Sequence, residues 1–172
     1  MGRPRSFDEG TVLDAAADAF VRGGYEGTSV DDLVHALKLH RGSLYKAFGS
    51  KHGLFLAVLR HYVASGLPEA ITRCGTSGHT DVAALSASGD LDLLLVAALE
   101  RGPLDAQVAG LVRGALADLE DALVKATGAA PPPAGPPRPV HALDLLGARL
   151  YQRLHHGPDA PQPRPPTTAK DT

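Results

Sequence analysis

Apolar positions recur at helical spacing from the start of the chain. Val12, Leu13, Ala16 and Phe20 fall on one face of a first helix. Ser6 and Glu9 stand in the S-x-x-E spacing of a capping box at its start, and Gly23-Gly24 is expected to end it. Thr28 is expected to cap a second helix, with Asp31 three residues on and Val30, Leu33, Val34 and Leu37 as its buried stripe. Lys38-Leu39-His40 reads as a short break. A third helix spans Arg41 to Phe48, with Leu44 and Phe48 inward. Ser50 caps a fourth, which carries Leu54, Phe55, Val58, Leu59 and Tyr62 and is expected to stop near Ala64, ahead of Gly66 and Pro68.

The second half is patterned less evenly. A short helix fits residues 69–73, CGTSGHT reads as a loop, and residues 81–88 are ambiguous. LDLLLVAALERG is apolar nearly all round and is expected to be a buried helix. Pro103 suits the first turn of a helix over 104–126, whose face carries Val108, Leu111, Val112, Ala115, Leu119, Ala122 and Leu123. Repeated proline makes residues 128–139 a semi-rigid linker. A last helix over 140–155 places Val140, Leu143, Leu146, Leu150 and Leu154 on one face, and the Pro-rich tail 158–172 is expected to be disordered. No strand pattern emerges, so the fold class is all-α.

Composition narrows the function classes. Of 172 residues 44% are apolar but only 5% aromatic, so the core is built mainly from Leu, Val and Ala. Net charge is -2, with a balance of +1 over residues 1–60 and -3 over 61–172, too slight to announce a nucleic-acid partner by itself. A single cysteine, Cys74, excludes a disulfide within the chain and a cysteine-based zinc site. His155 and His156 are adjacent and point apart on a helix, so no metal is expected there. The sequence holds no Gly-rich phosphate loop, nucleophile elbow or H-E-x-x-H, so neither catalysis nor a cofactor is expected. The carboxylate pairs at 31–32 and 120–121 read as a helix cap and a solvated face. With no signal sequence and no apolar run approaching about 18 residues, a cytoplasmic location is expected and no membrane contact.

The informative segment is residues 28–55, TSVDDLVHALKLHRGSLYKAFGSKHGLF. Two short helices meet at a tight break, and the second presents Arg41, Ser43, Tyr45 and Lys46 around an inward Leu44. This is the economy of a helix-turn-helix, in which one helix braces another that lies in the major groove. Gly42 would let the backbone approach DNA closely, and the helix starts at Thr28 and Lys51 suit phosphate.

In order and spacing, the chain resembles the TetR family of transcriptional regulators. The resemblance rests on Gly-Arg-Pro-Arg at 2–5, Phe20 before Gly23-Gly24-Tyr25, Gly27-Thr28-Ser29-Val30, His40-Arg41-Gly42-Ser43-Leu44-Tyr45, and Phe48-x-Ser50-Lys51-x-x-Leu54-Phe55. It implies that Thr28 contacts phosphate and that Arg41, Ser43 and Tyr45 belong to the recognition helix. Tyr45 and Lys51 would lie on phosphates, with Lys46 beside them, and Arg3 and Arg5 would form an arm for the minor groove. Two positions depart from the pattern. Lys38 replaces the usual turn glycine, which implies a strained turn. His40 replaces a capping Ser or Thr; it caps poorly, but could bond phosphate or respond to pH.

The resemblance also implies a division into a DNA-binding domain over 1–50, with its arm at 1–5, and a helical regulatory and dimerisation domain over 51–157. Homodimerisation through the helices at 104–126 and 140–155, double-stranded operator DNA as partner and a small-molecule effector follow from it. The expected function is a ligand-released repressor; the alternative is a constitutive helix-turn-helix protein without effector, favoured by the short second half.

Overall fold

The computed structural model describes residues 8–76, 79–80, 82–127 and 140–156. The expected capping Ser6, the arm residues Arg3 and Arg5, the linker 128–139 and the tail 158–172 lie outside them. Helix α1 spans Glu9–Gly27, and the Asp8 side chain caps its start by accepting the Thr11 N–H. The helix kinks at Gly24, whose φ of 71° is open to glycine at little cost, so the chain turns where Gly23-Gly24 was expected to turn it. Helices α2 (Val30–Leu37), α3 (Arg41–Phe48) and α4 (Lys51–His61) follow, with Ser50 capping α4.

The fourth helix does not stop at Ala64. A π-helical turn over Tyr62–Gly66 carries it into α5, Leu67–Arg73. Pro68 has no N–H to offer the preceding turn, and the widened turn moves it into the first turn of α5, where none is needed. Beyond α5, Gly75–Thr76 (β1) and His79–Thr80 (β2) pair antiparallel, so the expected loop holds a minimal hairpin. The ambiguous stretch forms α6, Val82–Ala87.

Helix α7, Asp92–Val96, is buried on all sides, as its uniform apolarity requires, and a second π-helical turn over Ala97–Arg101 extends it. Pro103 lies in the turn before α8 (Ala106–Thr127) rather than inside it. The start is set by Asp105, whose Oδ1 accepts from the N–H groups of Gln107 at 2.8 Å and Val108 at 3.2 Å. Helix α9, Val140–His156, packs on α8.

The buried side chains form one continuous core, from Val12 in α1 to Leu146 in α9. Phe20, Tyr25 and Phe55 knit α1 to α4 with centroid separations of 4.9 to 5.9 Å. Charges cross this core as well. Glu120, expected to be a solvated charge, is buried; its carboxylate meets His141 Nδ1 at 2.8 Å and accepts from the Ala142 N–H at 2.8 Å, stitching α8 to the start of α9. The face of α9 is also rotated from expectation. Ala142, Leu145 and Leu146 are buried, whereas Leu143, Leu150 and Leu154 point outward with Tyr151.

Candidate nucleic-acid interface

Helix α2 begins one residue later than expected. Ser29 is its N-cap, in a reciprocal capping box: the Asp32 N–H donates to Ser29 Oγ at 3.1 Å, and the Ser29 N–H donates to Asp32 Oδ2 at 2.9 Å. The Ser29 hydroxyl and N–H hold the Asp32 carboxyl below the ordinary carboxylate range. Thr28 is instead buried, at 3% exposure, and its hydroxyl donates to the Gly24 carbonyl at 2.6 Å. Its side chain therefore closes the kink in α1 and does not face outward.

The turn between α2 and α3 is made by Lys38 in the left-handed conformation, φ 51° and ψ 35°, which glycine would adopt without the Cβ conflict. Its N–H returns to the carbonyls of His35 and Val34. His40 then stands at the start of α3 with no side-chain capping bond, as its chemistry implied.

On α3, Leu44 is fully buried and Phe48 is partly buried against the core. Arg41, Gly42, Ser43, Tyr45 and Lys46 are exposed, Tyr45 by 43%. A Cβ built on Gly42 meets nothing within 4 Å, so packing inside the protein does not demand a glycine there. Arg41 leans back onto α2, its Nη2 2.8 Å from Asp31 Oδ1. Helix α3 thus presents an unbroken polar and aromatic surface, while one leucine anchors it.

Lys51 is directed inward. Its Nζ donates to the carbonyls of Tyr25 at 2.9 Å and Thr28 at 3.2 Å and lies 4.4 Å from the centre of the Tyr25 ring. Those carbonyls close the end of α1 and leave partial negative charge there, which explains a lysine at the start of α4. Gly53, which no motif in the sequence singles out, is required by the same packing, because a Cβ on it would collide with the Phe48 carbonyl.

The family model for bacterial regulatory proteins of the tetR family matches residues 12–58, the stretch that contains all of α2 and α3. Over this segment the chain is similar to the TetR family. YezE, an HTH-type transcriptional regulator of Bacillus subtilis (strain 168), is 44% identical over 63 residues, covering 37% of this chain and 32% of that protein. ComR, an HTH-type transcriptional repressor of Escherichia coli (strain K12), is 47% identical over 62 residues, 36% of this chain and 30% of the repressor. The matches to these curated relatives thus span about a third of their length. A solved structure reaches further: CifR, a TetR-family regulator held with 26-bp double-strand operator DNA, aligns with a TM-score of 0.61 and 27% identity over 89% of this chain and 91% of its own. The all-α fold of that regulator therefore extends through both halves of this chain.

Two further observations bear on other chemistry. Among the described residues no group of three or more His, Cys, Asp or Glu is placed to hold a metal ion. No described helix is long and apolar enough to cross a membrane.

Proposed function

We propose that the chain is a dimeric transcriptional repressor that reads operator DNA with α3 and is released by a small-molecule effector. The observation that carries the reading is the outward surface of α3, where Arg41, Gly42, Ser43, Tyr45 and Lys46 are exposed on a helix held by Leu44. A B-DNA major groove about 12 Å wide admits one such helix. Arg41 and Ser43 are suited to base edges, Tyr45, Lys46 and His40 to phosphates, and the basic arm with Arg3 and Arg5 to the adjacent minor groove. Thr28 and Lys51 serve behind the reading helix as braces. ComR, similar over this same segment, is named a repressor, which supports that sign of regulation.

One recognition helix reads few base pairs, so a two-fold dimer is needed to place a second on the same DNA face. The outward face of α9 suits that role. Leu143, Leu150, Tyr151 and Leu154 are exposed there, Leu154 by 75%, and Gly110, Gly114 and Gly147 leave open space for close helix approach. In this reading residues 1–50 bind DNA and residues 51–157 dimerise and regulate.

Effector control needs a ligand that distinguishes two arrangements of the same protein. The regulatory half reaches α1 through several bonds that such a ligand could bias. The Glu26 N–H donates to Glu100 Oε2 at 3.1 Å, Arg101 Nη1 lies 3.4 Å from Glu26 Oε1, and Arg153 donates to the Val21 carbonyl at 3.1 Å.

A nuclease footprint of the full chain on the intergenic DNA beside its own gene tests the reading. Two protected half-sites about 34–36 Å apart, or a multiple of that, are expected, with affinity falling steeply as salt rises. A protein with no salt-dependent affinity for any duplex is not a DNA-binding regulator. Operator binding that no metabolite changes would leave a constitutive repressor.

A further inference from the structure

Arg41 is the side chain on α3 best suited to reading a base, since a guanidinium pairs with guanine O6 and N7 through two parallel N–H bonds. That geometry requires the guanidinium plane to be aimed, and a long exposed arginine has many rotamers. In this protein one of its N–H groups is engaged by a neighbour, which biases those rotamers. Arg41 Nη2 donates to Asp31 Oδ1 at 2.8 Å, from the start of α3 to the first turn of α2. Both side chains are open to solvent, Arg41 by 55% and Asp31 by 81%. Among the described residues the guanidinium makes this bond alone, so its remaining N–H groups stay free.

An exposed ion pair of this kind adds little to stability. The electrostatics of the surface also argue against Asp31 as a DNA-binding group in its own right. A carboxylate on a face that approaches phosphates repels them, and the capping of α2 is already done by Ser29 and Asp32. Asp31 is thus unfavourable to DNA affinity in general, and to its own helix it offers only the modest gain of a first-turn carboxylate beside a complete capping box.

We propose that Asp31 is a specificity-determining positioning residue: paired with it, Arg41 reads a single G·C base pair in each half-site. This rests on the assignment of α3 as the reading helix. Asp31 exchanges general affinity for discrimination, because its charge weakens binding to every sequence while the aimed arginine favours one. Removing it should therefore move the two quantities in opposite directions.

The experiment uses the full-length chain and the duplex defined by footprinting, with every base pair of one half-site substituted in turn, plus an unrelated duplex. Wild type, Asp31→Asn, Asp31→Ala, Asp31→Glu and Arg41→Ala are titrated against the set. Arg41→Ala is expected to flatten the preference at one base pair by about tenfold or more. Asp31→Asn and Asp31→Ala are expected to flatten the preference at that same base pair severalfold while binding the unrelated duplex as tightly as wild type or more tightly. Asp31→Glu, which keeps the carboxylate, is expected to retain part of the preference.

If Asp31→Ala leaves the preference at the Arg41 base pair unchanged, the positioning role is wrong. Loss of preference at a different base pair would show Asp31 reading a base directly, and would also overturn it. Wild-type binding to the footprinted duplex with unchanged preference in Arg41→Ala overturns the inference alone. Absence of wild-type binding to every duplex removes the underlying DNA-binding reading with it.

Discussion

Arg149 holds Asp92 with two parallel bonds, Nε to Oδ1 at 2.6 Å and Nη2 to Oδ2 at 2.7 Å, and both side chains are almost withdrawn from water. The pair joins α9 to α7, and Arg153 extends it, 3.9 Å from the same carboxylate and bonded to the Val21 carbonyl of α1. Removing Asp92 leaves the Arg149 guanidinium largely buried with only long bonds to the Ser86 and Ala87 carbonyls and to Gln152. Asp92→Ala is expected to lower the unfolding free energy by about 3–5 kcal/mol, read from urea midpoints. Replacing both partners by apolar residues, Asp92→Leu with Arg149→Met, is expected to recover most of that loss. Equal losses in the single and double variants would show that the pair contributes little beyond packing.

Tyr45 and Lys46 face outward on α3, whereas Lys51 is engaged inside the protein, and the three should behave differently. Tyr45→Ala is expected to weaken operator binding by more than about tenfold without changing the oligomer. Lys46→Ala is expected to reduce the salt slope by about 0.9, the share of one neutralised phosphate. Lys51→Met is expected to lower stability by about 1 kcal/mol and to leave the slope unchanged. A reduced slope in Lys51→Met would place that lysine on phosphate after all.

The joint between α8 and α9 carries a pH dependence. Burial pushes the Glu120 carboxyl up, but the bonds from His141 and the Ala142 N–H outweigh it and set its pKa below the ordinary 4.5. A depressed folded-state pKa stabilises the protein fully above the unfolded value and loses that stabilisation as pH falls through the folded one. Stability is therefore expected to decline as pH drops below about 4.5, and Glu120→Gln to remove this share of the slope. Urea midpoints of the two proteins between about pH 3 and pH 7 provide the comparison.

Lys38 occupies a left-handed conformation at the turn of the motif, with φ 51°. Lys38→Gly is expected to raise stability by about 1 kcal/mol, because the Cβ conflict is relieved. The measurement is a shift of the denaturation midpoint; an unchanged or lower midpoint would mean that the lysine side chain contributes more than the strain costs.

Leu150 and Leu154 lie on the open face of α9. Substituting both by Glu is expected to convert the proposed dimer to monomer in sedimentation velocity, with the helical content of the monomer preserved. Persistence of the dimer would assign its interface to another surface.

Much of this architecture is written in local pattern. The four helices of the first sixty residues, the break at Lys38, the poor cap at His40 and the buried Leu44 all follow from spacing and from residues a few positions apart. Helix periodicity and capping act over one or two turns, so the sequence carries them directly. The exposed surface of α3 was legible for the same reason.

Partners distant in the chain were not. Thr28 was expected to be a cap facing phosphate, but it lies against the carbonyls of Ala19 and Gly24, because the kink at Gly24 folds the end of α1 over it. Lys51 finds its acceptor 26 residues away and Arg149 its carboxylate 57 residues away, distances over which no spacing rule operates. The rotation of α9 belongs to the same class, since its start is bonded to α8 by Glu120, 22 residues before Ala142. The sequence alone determined the helices of the first sixty residues and the motif they form, because helical order is a local property. Only the tertiary structure decided which charges face outward and which brace the core, because that depends on what the folded chain brings within reach of them.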